Sequence, residues 1–288
     1  MPPTSAPSRE QPLPRLWLAA GIGNAFTSSL LNPLDVTKTR MQTNGGSLIS
    51  TLRSSWTEGG LRGLFMPGLA ASILREFIYS GPRIGFYTPV RDFYAQQTGA
   101  VGMETPFVKV AAALTTGAFS CILANPIDVV KIRMQRNPNA YASTFAAIPA
   151  IVKAEGFVGL TKGLAPSTLR GMSLSVGQLA VYDIVKTAVR DGLGFKEGAQ
   201  LHVMSALVTG VAASVLSAPF DYLKVRTMAA DGSRETMRSV LRTLSAQGKL
   251  PGALYTGVAP AYLRQGPHAL ICWPVMEKLR AALDLDPV

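Results

Sequence analysis

The chain has 288 residues, 48% of them hydrophobic and only 16% charged, with 28 Lys and Arg against 17 Asp and Glu for a net charge of +11. An ordinary soluble domain is about 25% charged, so the composition leans toward a membrane protein. The cation surplus does not suit nucleic acid, because no basic run exceeds two residues and no aromatic residues interleave with the cations as a base-stacking platform requires. Contacts with anionic lipid and an anionic solute account for it instead.

In chain order, residues 1–14 ("MPPTSAPSREQPLP") are Pro- and Ser-rich, with neither the apolar stretch of a signal peptide nor the arginines of a transit peptide, and are expected to be a disordered tail. Leu16 to Leu34 carries no Asp, Glu, Lys or Arg and is about long enough to span hydrocarbon as a helix. It runs into "NPLDVTKTRMQ", Asn32 to Gln42. A polar stretch with helical apolar spacing follows ("SLISTLRSSWTEGG"), then a second, less apolar helix through "LREFIYSGPRIGFYTPVR" and a linker near Gln96 to Glu104. The plan then recurs. Val110 to Ile127 is uncharged and runs into "NPIDVVKIRMQ"; after "YASTFAAIPAIVKAEG" comes "LRGMSLSVGQLAVYDIVK" and a linker near Leu193 to Gly198. Val203 to Phe220 leads into "APFDYLKVRTM", then "SRETMRSVLRTLSAQG" and "LRQGPHALICWPVMEKLR".

Pro33, Pro126 and Pro219 are spaced by 93 residues twice over (126 − 33, 219 − 126). Such a repeat predicts an all-α membrane protein of three tandem helix pairs, six transmembrane helices with pseudo-threefold symmetry and both termini on one side. The repeats fall at 15–100, 101–195 and 196–288. Each proline is expected to kink its helix so that the helices converge at one end. There Asp35, Asp128 and Asp221 alternate in a ring with Lys38, Lys131 and Lys224, each acid sharing a face with the base three residues on. Ion pairs that must separate make a gate.

These residues resemble the mitochondrial carrier family, whose signature is P-x-[DE]-x-x-[KR]-x-[KR] followed by [DE]-G and an aromatic-basic-glycine element. The second part departs from pattern here: "EGGLRGLFMPG" is one residue long, "EGFVGLTKG" has Thr161 for the aromatic, and "QGKLPGALYTG" has Gln247 for the acid and Thr256 for the base. The resemblance implies a multi-pass protein of the mitochondrial inner membrane, monomeric, with cardiolipin as a lipid partner and no cofactor. It implies a matrix-side gate paired across repeats (Asp35 with Lys131, Asp128 with Lys224, Asp221 with Lys38), with Gln42 and Gln135 as braces and Met228 in the third brace position. A second, cytoplasmic gate is implied at [FY]-[DE]-x-x-[KR]: "YDIVK" at Tyr182 to Lys186 supplies Asp183 and Lys186, "MEKLR" supplies Glu277 and Arg280, and "YTPVR" supplies Arg91 with Thr88 in place of the acid. Having lost one acid, this gate is the weaker.

Ionisable residues within membrane spans point to a functional cavity. Each even-numbered helix carries one arginine at nearly the same depth, Arg75, Arg170 and Arg264; Tyr79 and Arg83 follow Arg75, Gln178 follows Arg170 and His268 follows Arg264. Four guanidiniums against one nearby acid, Glu76, make the cavity electropositive, and a planar fork grips a carboxylate bidentately. The segments "RGMSLSVGQLAVYD", "RIGFYT" and "RQGPH" are similar to the branch of dicarboxylate carriers, oxoglutarate/malate carriers and uncoupling proteins, in which the equivalent arginines bind dicarboxylate or an inhibitory purine nucleotide. The expected function is exchange of small anionic metabolites, C4 dicarboxylates or 2-oxoacids, by alternating access; the alternative is an uncoupling-type proton or anion carrier. An enzyme is not expected, since two histidines 66 residues apart (268 − 202) and no nucleophile-base grouping offer little chemistry. Cys121 and Cys272 lie in apolar stretches and are expected to be packing residues, with no metal site.

Overall fold

The computed structural model describes residues 12–99, 105–174, 199–232, 235–250 and 252–285, and every regular element among them is a helix. The first repeat holds α1 (Leu13–Leu30), α2 (Asn32–Asn44), α3 (Leu48–Phe65), α4 (Leu69–Gly85) and α5 (Tyr87–Gln97). In the second are α6 (Pro106–Arg136), α7 (Thr144–Glu155), α8 (Val158–Thr161) and α9, residues 164–174. The third comprises α10 (Ala199–Ala229), α11 (Met237–Ala246), a 3-10 turn at Gly252–Tyr255 and α12 (Val258–Ala282). Most of the expected tail lies outside the described residues.

The three motif prolines do not act alike. The first span breaks at Leu31, and Pro33 sits in the opening turn of α2, where its missing N–H costs nothing. By contrast α6 and α10 run through Pro126 and Pro219 as single helices. An unforeseen break separates α4 from α5 at Phe86. It lies where Pro89 cannot donate to the carbonyl of Gly85 and its ring crowds that same carbonyl.

Burial is inverted relative to a water-soluble bundle. On α1, Leu18, Ile22, Phe26 and Leu30 recur every fourth residue and are exposed, while Ala19, Gly23, Thr27 and Ser28 are buried. Phe119, Ile122 and Leu123 on α6, and Val211, Val215 and Leu216 on α10, are exposed as well, whereas Thr116, Ser120, Ser214 and Ser217 face inward. Small and polar residues let helices approach closely, and large apolar ones meet lipid. At the motif end the second and third repeats share an apolar cluster in which Val129, Val130 and Met228 are fully buried.

The polar segments after the motifs form α3, α7 and α11. Ser47, Ser143 and Thr236 cap their N-termini by accepting from the N–H groups of Ser50, Ala146 and Ser239. The chain turns by 112° between α7 and the helical segment Val158–Leu174, so α7 lies nearly crosswise to the span that follows. The extra residue in the first repeat is absorbed by carrying α3 across Gly60, whose φ of 54° and ψ of −140° suit glycine. Gly68, Gly163 and Gly257, all at positive φ, then start the even-numbered spans. A Cβ there would lie 3.0 Å from Gln135 Cγ, 2.5 Å from Met228 Cγ and 2.9 Å from Gln42 Nε2, so each repeat begins its second span against the brace position of the next.

Candidate functional site

Each motif helix presents its aspartate and lysine one turn apart, and at the convergence they pair between repeats. Lys131 Nζ lies 2.9 Å from Asp35 Oδ2, Lys224 Nζ 2.7 Å from Asp128 Oδ2, and Lys38 Nζ 2.7 Å from Asp221 Oδ2. These six side chains are only 8–13% exposed, so water screens them little.

The other oxygen of each aspartate is also taken, which the sequence did not disclose. Arg75 Nε lies 2.9 Å from Asp128 Oδ1, Arg170 Nε 2.7 Å from Asp221 Oδ1, and Arg264 Nε 3.2 Å from Asp35 Oδ1. The expectation of arginines facing a single acid is thereby corrected: every ring carboxylate is clamped between a lysine and an arginine, and the solute arginines are part of the gate. The reason is geometric. The arginines lie about one and a half turns into the even-numbered helices, which places them level with the motif aspartates of the following repeat.

The Nε edge of each arginine faces the aspartate, as a hydrogen bond for Arg75 and as an ion pair by distance alone for Arg170. Among the described residues, no acid meets the Nη ends of Arg170 or Arg264. Arg75 differs: its Nη1 donates to Glu76 Oε1 at 3.0 Å, and Ser28 Oγ donates to the same oxygen at 3.3 Å. Glu76 is buried.

The braces are unequal. Gln42 Nε2 donates to Asp221 Oδ2 and to the Thr256 carbonyl, both at 3.0 Å. Gln135 accepts from Thr39 and donates to Asn32, so it ties the first two repeats together without touching an ion pair. Met228 fills the third position with apolar contact.

Tyr79 is stacked between two cations, with Arg75 Cζ 4.8 Å and Arg83 Cζ 5.7 Å from its ring centroid. Arg83 is exposed, and His268 on α12 is partly buried within electrostatic range of Arg264 and Glu76. Gln178, Tyr182, Asp183 and Lys186 lie outside the described residues. At the far end, Arg91 bonds to its own neighbour Asp92 at 2.8 Å, and Thr88 and Glu277 are exposed while Arg280 is partly buried. Both cysteines are free thiols; Cys272 Sγ lies 3.4 Å from Asn24 Oδ1.

Two further layers were not singled out in the sequence. The residue before the motif proline is an amide in two repeats: Asn32 Nδ2 donates to the carbonyls of Phe65 and Pro67, and Asn125 Nδ2 to those of Leu160 and Lys162. Each pins the turn ahead of its repeat's second span; Ala218 cannot. Secondly, the motif's last base meets the acid of the [DE]-G element. Arg40 Nη1 lies 2.8 Å from Glu58 Oε2, and Arg133 forms two parallel bonds of 2.8 and 2.9 Å to Glu155. Glu155 also accepts from Lys162 Nζ and the Gly232 N–H. Burial alone would raise its proton affinity, but those donors outweigh it and hold the carboxyl at about 2. In the third repeat Gln247 stands in the acid's position, and Arg226 Nε is buried without a hydrogen-bond partner. The acid-glycine pair in the first two units, 18 and 22 residues beyond the motif's last base, was the available signal for this layer.

The family model described as mitochondrial carrier protein matches three segments, residues 9–98, 103–193 and 196–286. Among curated relatives, the chain is 28% identical to the mitochondrial substrate carrier family protein ucpB of Dictyostelium discoideum over 94% of this chain and 97% of that one. It is 30% identical to mitochondrial uncoupling protein 2 of Arabidopsis thaliana, with 92% of each covered, and 27% identical to mitochondrial citrate transporter F of Aspergillus niger, with 95% and 91% covered.

Proposed function

The chain belongs to the mitochondrial carrier family, multi-pass inner-membrane transporters of small metabolites rather than enzymes, and from that premise we propose that it exchanges small dicarboxylates or 2-oxoacids across that membrane. One observation carries this reading. Arg170 and Arg264 each place Nε on a ring aspartate and, among the described residues, leave the Nη end without an acid, so two guanidinium forks stand ready for a solute with two carboxylates. A solute carboxylate drawn onto either arginine competes with Asp221 or Asp35 and weakens the adjoining lysine pair. Solute binding and gate opening are then one event. Cardiolipin at the motif-end surface and a monomeric state belong to the same proposal.

A second reading, an uncoupling-type proton or anion carrier, is favoured by the similarity to an uncoupling protein. Purified protein in liposomes separates the two. Uptake of malate or succinate that requires internal solute supports exchange, whereas proton conductance sensitive to purine nucleotides, with no exchange of dicarboxylates, 2-oxoacids, phosphate or sulfate, defeats it.

A further inference from the structure

The three arginines are equivalent by repeat, but the residues after them are not: Glu76 follows Arg75, Gly171 follows Arg170 and Gln265 follows Arg264. Gln265 turns away to donate to Ser214, and Gly171 has no side chain. Among the described residues, of these three arginines only Arg75 therefore has both edges of its guanidinium occupied, Nε by Asp128 and Nη1 by Glu76. A third anion can seat there only by displacing one carboxylate or sitting against two.

We propose that Glu76 is the proton-binding group of the transport cycle: it takes up one proton when the anion binds, releases Arg75 to the solute, and carries that proton across with it. This rests on the dicarboxylate reading above. Protonation turns Glu76 from acceptor into donor and removes a negative charge beside the incoming one, while Asp128 keeps its partner in Lys224. The ring aspartates are poor candidates for the same step, because each already carries two cations, whereas Glu76 has one arginine shared with Asp128 and one hydroxyl. Arg75 interacts with Tyr79 on α4 and with Asp128 and Cys121 on α6, His268 with Arg264 on α12 and Asp35 on α2, and among the described residues Arg75, His268 and Cys272 interact with Glu76 itself. From α1 it meets only the uncharged Ser28. Of these groups His268 has the ordinary titration range closest to neutral, so it is the control.

Linkage states the test. If binding requires a proton, the KM for a fully ionised dicarboxylate rises about tenfold per pH unit wherever Glu76 is ionised in the empty cavity. Proteoliposomes with a trapped pH dye and labelled malate, between about pH 6.5 and 8 where carboxylic acids of ordinary affinity remain ionised, report KM and proton movement together. The wild type should show that slope, and malate that enters without a counter-solute should acidify the lumen by one proton each, since in exchange the outgoing solute carries its own proton back. Glu76→Gln, a neutral mimic of the protonated acid, should transport with a flat KM and move no proton. His268→Asn should keep the slope whatever its rate. A slope or proton flux that survives in Glu76→Gln overturns the proposal, as does a folded but inactive Glu76→Gln, since a neutral group there must permit binding. Loss of the slope in His268→Asn moves the proton to that residue. Preference for aspartate over malate without proton movement overturns it in favour of an ammonium partner for Glu76. A wild type that moves no anion of the panel defeats the dicarboxylate reading and this inference with it.

Discussion

Replacing Arg170 by alanine tests whether the gate arginines also hold the solute. In the resting ring Arg170 Nε contacts Asp221 Oδ1 at 2.7 Å, but Asp221 retains Lys38 at 2.7 Å and Gln42 at 3.0 Å on its other oxygen. Fold and gate therefore survive, at a cost on the order of 1 kcal/mol for one lost contact at a site 26% exposed. The solute loses more. A charge-assisted fork contributes about 1.5 to 3 kcal/mol, or roughly 10- to 150-fold in binding. Malate exchange at subsaturating concentration should fall by that factor in Arg170→Ala, while the melting temperature in detergent changes little. Arg170→Lys separates the two roles, because an ammonium can sit on Asp221 but offers no planar fork. It should restore the melting temperature and little of the uptake. Near-normal exchange in Arg170→Ala, or full recovery in Arg170→Lys, refutes the assignment of Arg170 to the solute.

Glu155 is held at about 2 against an ordinary 4.5, so its contribution is present above about pH 4.5 and is lost as pH falls toward 2. Glu155→Gln should lower stability near neutral pH by on the order of 3 kcal/mol and flatten the acid side of a melting-temperature profile; a wild-type-like profile refutes this. Gln247→Glu should supply the acid that Arg226 lacks in the third repeat and stabilise by about 0.5 to 1 kcal/mol, read as a higher melting temperature that Arg226→Gln abolishes. Thr88→Asp should restore an acid to the cytoplasmic gate and shift the population toward the matrix-open state by about 0.5 to 1 kcal/mol. A cysteine placed near Arg75, in a background lacking Cys121 and Cys272, should then react more slowly with an impermeant thiol reagent applied from the cytosolic side; an unchanged rate counts against the weak-gate reading.

The fold was legible because its strongest constraint is written as a period: uncharged runs ending in P-x-D-x-x-K-x-R at 93-residue intervals leave little choice but helix pairs related by rotation. Which residues share a face was legible too, since an acid and a base three apart must. The relative depth of neighbouring helices was not. It depends on how far each helix slides before its small residues lock, as where Gly68 meets Gln135, and this accompanies the reach of Arg75 to Asp128. The behaviour of proline was equally hidden. The same residue opens a new helix at Pro33 and sits inside a continuous one at Pro126, although the two motifs are nearly identical. Asn32 and Asn125 were not singled out because their amides reach carbonyls more than thirty positions away, beyond any local pattern.

Two departures from threefold symmetry, Met228 and Glu76, fall on one seam, and that gives them a common logic. Between the second and third repeats Met228 replaces the glutamine and packs fully buried with Val129 and Val130, and the ion pair there, Asp128 with Lys224, is the one whose arginine is capped by Glu76. The other two seams are polar: Gln42 bonds to Asp221, and Gln135 bonds to Thr39 and Asn32. An anion competes for charged partners but has no purchase on apolar packing. On the dicarboxylate reading, a solute held by Arg170 and Arg264 therefore acts on Asp221 and Asp35, which belong to the two polar seams. The apolar seam yields last, and it does so at the arginine that Glu76 controls. Proton uptake at Glu76 would thus fall at the step where the third pair must open, which couples the proton to the conformational change and not only to the binding of charge.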